Sequence, residues 1–330
     1  MAELRVGLIG VGMMGRHHAR VIRETEGVTL AGVADEAGDP RRSAGDAPIH
    51  RTVGELIASG IDAAVVAVPT QAHEAIALEL ADAGVHALVE KPITVDIESG
   101  TRVVDAFEKA GLVGAVGHIE RYNPALQSLR QRIDAGELGD VYQIATRRQG
   151  PFPSRIADVG VVKDLATHDI DATAWLAQSL YSTVFAHVSS RSGRAHEDMV
   201  SAAAQLENGI ITNHLVNWLS PMKERITVVT GERGAFVADT VSADLTFFEN
   251  GTFSMEWESV MAFRGVSEGT VTRFALNKRE PLRVEHEAFR DAILGLRSDI
   301  VTMREGLENV RVAEAILNSA EAAESVRIER

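Results

Sequence analysis

Three polar residues of this chain have the types that alcohol oxidation requires. Asp164 and His168 lie four apart in the run Val161-Val162-Lys163-Asp164-Leu165-Ala166-Thr167-His168-Asp169-Ile170-Asp171. That spacing puts both on one face if the segment is helical. Removing a hydride from an alcohol carbon needs a base for the hydroxyl proton, and histidine titrates near neutrality. A neighbouring aspartate orients the imidazole or the hydroxyls of a sugar. Lys91, in Glu90-Lys91-Pro92, supplies a cation for the developing alkoxide, on a turn stiffened by proline. Each has a plain structural reading as well. Asp164 would cap a helix, His168 would pack, and Lys91 would be a surface lysine. The functional reading gains weight only when a hydride acceptor has a place to bind.

The run Gly10-Val11-Gly12-Met13-Met14-Gly15 provides that place. It follows the apolar segment Leu4–Ile9 and precedes a helix-like segment, Met13 to Glu24. Gly10 permits the tight turn, Gly12 admits the pyrophosphate to the backbone, and Gly15 lets helix and strand pack closely. The helix N-terminus then offers N–H groups to the phosphates. Asp35, 20 residues beyond Gly15, ends the next apolar segment. A carboxylate there accepts from ribose hydroxyls and repels a 2′-phosphate, which favours NAD over NADP. Arg41 and Arg42 follow and offer the opposing argument. Met13 and Met14, together with Pro69, Thr70, His73, Glu90 and Lys91 at later strand ends, are the remaining cofactor candidates. A helix-dipole or surface role for His73 stays open.

The elements that must position these groups alternate over the first 120 residues. Strands are expected at Leu4–Ile9, Val28–Ala34, Ala63–Val68, Ala87–Val89 and Leu112–Val116, each short, apolar and without alternation, as in a sheet covered on both faces. Thr52 with Glu55 makes a capping box, and Thr70 and Asp96 are further N-cap candidates. The segment 38–50 is too rich in Gly, Pro, Ser and Arg for a long helix and reads as a loop. The result is an α/β fold with an N-terminal doubly wound Rossmann sheet.

Beyond residue 120 the pattern changes. Asn123–Pro124 opens a helix to about Ala135. Strands follow at Val141–Arg147, Val184–Ser190, Met199–Leu206, Ile210–Trp218, Ile226–Thr230, Ala235–Asp239 and Leu245–Phe248. Asn208-Gly209 and Asn250-Gly251 are hairpin signals. Helices at Glu285–Gly295 and Thr302–Glu324 close the chain, the second with a capping box of Thr302 and Glu305. This predicts a C-terminal α/β domain with a large, mostly antiparallel open sheet. The expected domains are 1–120 for NAD and 121–330 for substrate and oligomerisation, with the last helix free to pack back on the first. A half-covered sheet is naturally closed by a second copy, giving a homo-oligomer.

Composition narrows the partners. The chain has 330 residues, a formal charge of −14 and no cysteine. The acidity disfavours nucleic acid, since a polyanion needs a basic face. Absence of cysteine excludes disulfides and thiolate metal sites and fits a reducing compartment. No apolar run reaches membrane length, so a soluble cytoplasmic protein is expected. No metal site is expected: His17 and His18 are adjacent on a helix and do not face one site. His196 and His214 receive no assignment.

One basic stretch stands out. Arg147-Arg148-Gln149-Gly150-Pro151-Phe152-Pro153-Ser154-Arg155 has three arginines and no acid. Arginine's planar fork suits a diphosphate, although an ordinary solvated loop is the alternative. Lys223 and Arg225 form a less specific pair.

Taken together, Gly10 to Gly15, Glu90 to Pro92 and the Asp164/His168 pair resemble the Gfo/Idh/MocA oxidoreductase family over essentially the whole chain. The resemblance implies that Lys91 and His168 act in hydride-transfer chemistry and that Asp164 contacts sugar hydroxyls. Gly117-His118-Ile119-Glu120-Arg121-Tyr122-Asn123-Pro124 and the run from Gly150 to Asp171 look like the family's UDP-N-acetylglucosamine 3-dehydrogenase branch. That implies oxidation of the sugar C3 hydroxyl to a ketone, which an aminotransferase then uses. His118, Arg121, Tyr122, Asn123, Arg148 and Arg155, with Asp164 and His168, are then expected to meet a UDP-sugar. An inositol or simple-sugar dehydrogenase of the same family, or a non-catalytic NAD-binding regulator, are the alternatives. The chain departs from the family in its short 38–50 segment.

Overall fold

The computed structural model describes residues 3–152, 159–251, 268–296 and 298–330. The chain divides into two compact units. The first comprises residues up to Ile119 together with Glu280–Arg311; the second comprises Glu120–Arg279 and Val312–Arg330.

The first unit is a Rossmann fold. Strands β1 (Leu4–Ile9), β2 (Val28–Ala34), β3 (Ile49–His50), β4 (Ala63–Val66), β5 (His86–Glu90) and β6 (Gly114–Gly117) form one parallel sheet, in the order β3-β2-β1-β4-β5-β6. This doubly wound order has its topological switch beside β1, where ligands bind at the carboxyl ends of strands. β4 is buried at every position, as a strand covered on both faces must be. Helices α1 (Gly15–Glu24), α2 (Val53–Ala58), α3 (His73–Asp82) and α4 (Ile97–Ala110) connect the strands. Thr52 accepts from Glu55 N at 3.2 Å, and Asp96 accepts from Ser99 N at 2.8 Å, so both are working N-caps. Thr70 is not one: a single 3₁₀ turn, Thr70–Ala72, precedes α3, with no side-chain cap.

Two later helices bear on this unit. Helix α7 (Pro281–Ile293) belongs to it, and α8 (Met303–Ala322) gives it residues up to Arg311. The approach to α8 closes the edge of β6: Val116 N donates to Val301 O at 2.9 Å, and Ala115 pairs with Thr302. Thr302 and Glu305 form the reciprocal capping box, with bonds of 2.8 and 3.2 Å. The chain thus returns to the first unit after building most of the second, which a linear boundary at 120 does not express.

The second unit holds a nine-stranded sheet among the described residues. Its strands are β7 (Val141–Pro151), β8 (Tyr181–Ser189), β9 (Met199–Leu206), β10 (Ile211–Asn217), β11 (Leu219–Gly231), β12 (Gly234–Asp239), β13 (Asp244–Asn250), β14 (Glu268–Arg273) and β15 (Val326–Arg327). They run in the order β14-β13-β12-β11-β7-β10-β9-β8-β15. Only β7 and β10 pair in parallel; the other ladders are antiparallel. Helices α5 (Pro124–Asp134) and α6 (Thr167–Ala177) contribute to its core, with Leu126, Leu129, Ile144, Ile170, Val216 and Phe236 among the buried residues. Asn123 caps α5, accepting from Ala125 N at 3.0 Å. On the sheet, Phe185, Ile211, Leu215 and Phe248 remain exposed apolar residues in the single chain.

Two strands are longer than their apolar runs suggest. β7 continues beyond Arg147 to Pro151 because its neighbours on both sides extend with it, so Arg148 to Pro151 lie on the strand as well. β11 begins at Leu219, where Leu219 pairs with Pro151, and its register shifts before Glu224. Pro221, which cannot donate to a ladder, lies in that shift. α7 likewise begins at Pro281, a favourable first helical position, rather than at Glu285.

Candidate active site

The cofactor half lies in the first unit. Gly10 has φ of 86°, and a Cβ there would sit 2.7 Å from Ala67 O. At Gly15 a Cβ would lie 2.0 Å from Gly10 O, so helix and turn can meet only at glycine. At Gly12 a Cβ would meet nothing within 4 Å, which leaves its backbone open to a ligand. Met13 and Met14 beside it are exposed. Asp35 reaches back to the turn: Oδ2 accepts from Val11 N at 2.9 Å and Oδ1 from Ala37 N at 2.9 Å. A carboxylate has about four lone-pair sites, so capacity for ribose hydroxyls remains. Arg41 and Arg42 are exposed on the loop that follows.

The lysine turn is built from inside. Lys91 is half-buried, its peptide to Pro92 is cis, and its N–H donates to Glu90 Oε2 at 3.1 Å. Pro69 is exposed and Thr70 half-buried at the end of β4. His73 is placed as a brace between the two turns and offers no open nitrogen: it is 1% exposed, with Nδ1 2.9 Å from Pro92 O and Nε2 3.0 Å from Val68 O. Burial lowers its pKa, although those carbonyls and Glu90 pull the other way.

The second half lies in the second unit, on the segment leading into α6. Val162–Ala166 form one π-helical turn, a local widening frequent at functional sites, and His168 follows in the first turn of α6. The start of this segment is capped from afar. Glu197 O accepts from Val161 N at 2.9 Å, and Glu197 Oε1 accepts from Val162 N at 3.0 Å. A Cβ on Gly160 would lie 1.9 Å from that same oxygen. Asp164 and His168 are both half-buried.

Two buried arginines fix α6 in place. Arg121 grips Asp171 with two bonds of 2.8 and 2.7 Å. Arg148 donates to Asp169 Oδ1 at 2.6 Å and to Glu120 Oε1 at 3.0 Å. Burial opposes the Arg148 charge, but Asp169 and Glu120 raise its pKa further. Glu120 would be pushed up by burial, yet the charge of Arg148 brings it below the ordinary carboxylate range. Arg147 pairs with Glu224 across the β7–β11 ladder. The two described arginines of the stretch are therefore paired with acids distant in sequence. Arg155 lies outside the described residues.

A cavity of about 260 Å³ opens beside this network, lined by Arg148, Gln149, Asp164, Trp218, Lys223 and Arg225 among others. Arg225 lies 3.4 Å from Glu120, and burial followed by the nearby Arg148 charge lowers its pKa. The buried Trp218 Nε1 has no acceptor among the described residues. The modest pair Lys223 and Arg225 thus offers charge to this cavity where Arg147 does not. Deeper in the unit, His214 lies between Thr146 Oγ1 and Tyr181 OH, each at 2.8 Å, and burial pushes its pKa down to about 4. His118, Arg121, Tyr122 and Asn123 are all buried, and Asn123 Nδ2 donates to Thr240 O at 3.0 Å. Glu197, Glu120 and Asp169 were not assigned as site residues from the sequence; Asp169 adjoins His168 and Glu120 adjoins Arg121, whereas Glu197 had no positional hint.

Among the described residues no group of three or more His, Cys, Asp or Glu could hold a metal, and no helix is long and apolar enough to cross a membrane.

Residues 4–118 match the oxidoreductase family described as an NAD-binding Rossmann fold, and residues 126–237 match the GFO/IDH/MocA C-terminal domain. The chain is similar to UDP-N-acetylglucosamine 3-dehydrogenase of Acidithiobacillus ferrooxidans, with 33% identity over 98% of this chain and 99% of that protein. The solved structure of that enzyme superposes with a TM-score of 0.84 at 30% identity, covering 98% and 99% of the two chains. An inositol 2-dehydrogenase of Corynebacterium glutamicum is 29% identical over 65% of this chain and 67% of its own.

Proposed function

This chain belongs to the Gfo/Idh/MocA oxidoreductase family, and on that premise we propose that it oxidises the C3 hydroxyl of UDP-N-acetylglucosamine to a ketone with NAD. The cavity of the second unit carries the reading. It is lined both by Asp164, a carboxylate suited to sugar hydroxyls, and by Lys223 and Arg225, two cations suited to a diphosphate. Similarity to the Acidithiobacillus enzyme over nearly the whole chain supports the same substrate.

When bound, NAD supplies the hydride acceptor. Gly12 and the start of α1 take its pyrophosphate, and Asp35 its adenosine ribose. Asp164 orients the sugar. His168 receives the hydroxyl proton as the carbonyl forms, and Lys91 stabilises the negative charge that develops on oxygen. Arg148, Asp169 and Glu197 hold the segment that carries the base. The exposed apolar residues of the second sheet, Leu215 and Phe185 among them, close against a second copy of the chain.

The decisive experiment is a panel of UDP-sugars, free N-acetylglucosamine and inositols, each with NAD and with NADP, read as absorbance of the reduced nicotinamide. Turnover of UDP-N-acetylglucosamine with NAD is expected. Turnover confined to free sugars or inositols would replace the substrate, and no reduction across the panel would leave an NAD-binding protein without this activity.

A further inference from the structure

The histidine pair at 17 and 18 divides between solvent and core. His17 is exposed, whereas His18, on α1, is fully buried. His18 Nε2 lies 2.9 Å from Glu90 Oε1, and His18 Nδ1 lies 2.9 Å from His286 Nε2 on α7. The other oxygen of Glu90 holds the Lys91 backbone N–H. Glu285, next to His286, is 1% exposed, and neither of its carboxyl oxygens has a hydrogen-bond partner among the described residues.

The charge on Glu90 fixes one donor in this cluster. Burial would push Glu90 up, but the hydrogen bond and charge of His18, then the charge of Lys91, bring it below its ordinary range. An ionised carboxylate only accepts, so His18 Nε2 must donate. Burial, and then the His18 charge, push His286 well down, which makes it neutral. The 2.9 Å contact between His18 Nδ1 and His286 Nε2 then joins the two rings, one nitrogen donating and the other accepting. Burial, and then the Glu90 charge, push Glu285 well up, so it stays protonated and the cluster carries one carboxylate charge rather than two.

We propose that His18, clamped by His286, is a positioning residue for Lys91: a chain of hydrogen bonds linking α7, α1 and Glu90 fixes the carboxylate that holds the lysine's backbone N–H. The helix assigned to the NAD pyrophosphate and the turn assigned to the substrate hydroxyl are thereby tied together inside one unit. The proposal rests on the reading of Lys91 as the group that meets the hydroxyl.

Ring ¹⁵N shifts test the chain in the unmodified protein at neutral pH. His18, assigned by the signal lost in His18→Gln, should show a protonated Nε2, and His286→Gln should move its Nδ1. A His18 with a bare Nε2 overturns the proposal. Kinetics test the positioning. His18→Ala should lower kcat by about tenfold or more, since small misplacements of catalytic groups have effects of this size. Its Kd for NAD should change by less than about threefold, and His18→Gln, which keeps a donor for Glu90, should recover part of the loss. In a Lys91→Met background His18→Ala should have little further effect, because it acts through the same group. An undiminished kcat in His18→Ala, or multiplying losses in the double variant, overturns the proposal. If His18→Ala does not fold, His286→Gln replaces it in the same measurements. Full turnover in Lys91→Met would instead remove the role given to the lysine, leaving the hydrogen-bond chain to be decided by the ring shifts.

Discussion

Arg148 donates Nε–H to Asp169 at 2.6 Å, one residue beyond the histidine proposed as base, and the same guanidinium holds Glu120 at 3.0 Å. One cation on a sheet strand therefore fixes the helix that presents His168 and pairs with two carboxylates. Replacing it with Met would leave Asp169 and Glu120 buried without their main counter-charge. Breaking a buried pair in this way costs about 3–5 kcal/mol. Arg148→Met is expected to lose that much in denaturant unfolding, and Arg148→Lys to recover only part, because an ammonium cannot reproduce the planar fork.

His168→Ala should lower kcat by about 10²–10⁴-fold, the usual contribution of a positioned general base. Its melting temperature should stay close to the parent, since the half-buried ring is not part of the sheet core. Steady-state kinetics beside thermal melts separate the two effects. An unchanged kcat would remove the histidine from the chemistry.

The glycine turn predicts two opposite phenotypes from neighbouring alanine substitutions. A Cβ at Gly12 meets nothing within 4 Å, so Gly12→Ala should fold normally and bind NAD more weakly. At Gly15 the same methyl would fall 2.0 Å from Gly10 O, so Gly15→Ala should lose stability. Calorimetric NAD titration and thermal melts of the two variants check the contrast.

Glu285 gives a stability signature with a defined sign. Its folded pKa is raised, so the native state keeps a proton that the unfolded chain releases above about pH 4.3. Stability from this group is fully present below that pH and declines as pH rises towards the folded value, by at most about 1.4 kcal/mol per pH unit. Glu285→Gln, which keeps the shape without the titration, should be more stable than the parent at neutral pH, with a gain that shrinks on acidification.

His214 acts in the opposite direction. Its folded pKa of about 4 lies below the ordinary histidine value, so its contribution is present above about pH 6.5 and is lost as pH falls through about 4. The loss should amount to roughly 3 kcal/mol, visible as acid sensitivity of the melting temperature that His214→Gln reduces.

Much of the first unit was legible because its signals are local. The limits of β1 and β2 coincide with their apolar runs, and Thr52, Asp96 and Thr302 cap the helices they precede. The candidate site was legible in residue types but not in partnerships. Arg147 and Arg148 read as cations available to a diphosphate because Glu224, Glu120 and Asp169 stand far away in the chain and arrive only through strand pairing and helix packing. His73 read as a cleft residue because nothing near it in sequence announces that two carbonyls will take its ring. Glu197 was invisible for the same reason: capping by a residue 35 positions later has no local pattern.

The β6 edge has a consequence for protein engineering. Val301 and Thr302 complete the hydrogen bonding of Val116 and Ala115, so the nucleotide-holding half of this molecule is assembled from two stretches of gene separated by most of the other half. Recombination that exchanges everything before a single crossover near residue 120 would bring in a sheet whose last strand must be sealed by the recipient's sequence. Successful chimeras should require a second crossover that carries 280–311 with its parental sheet.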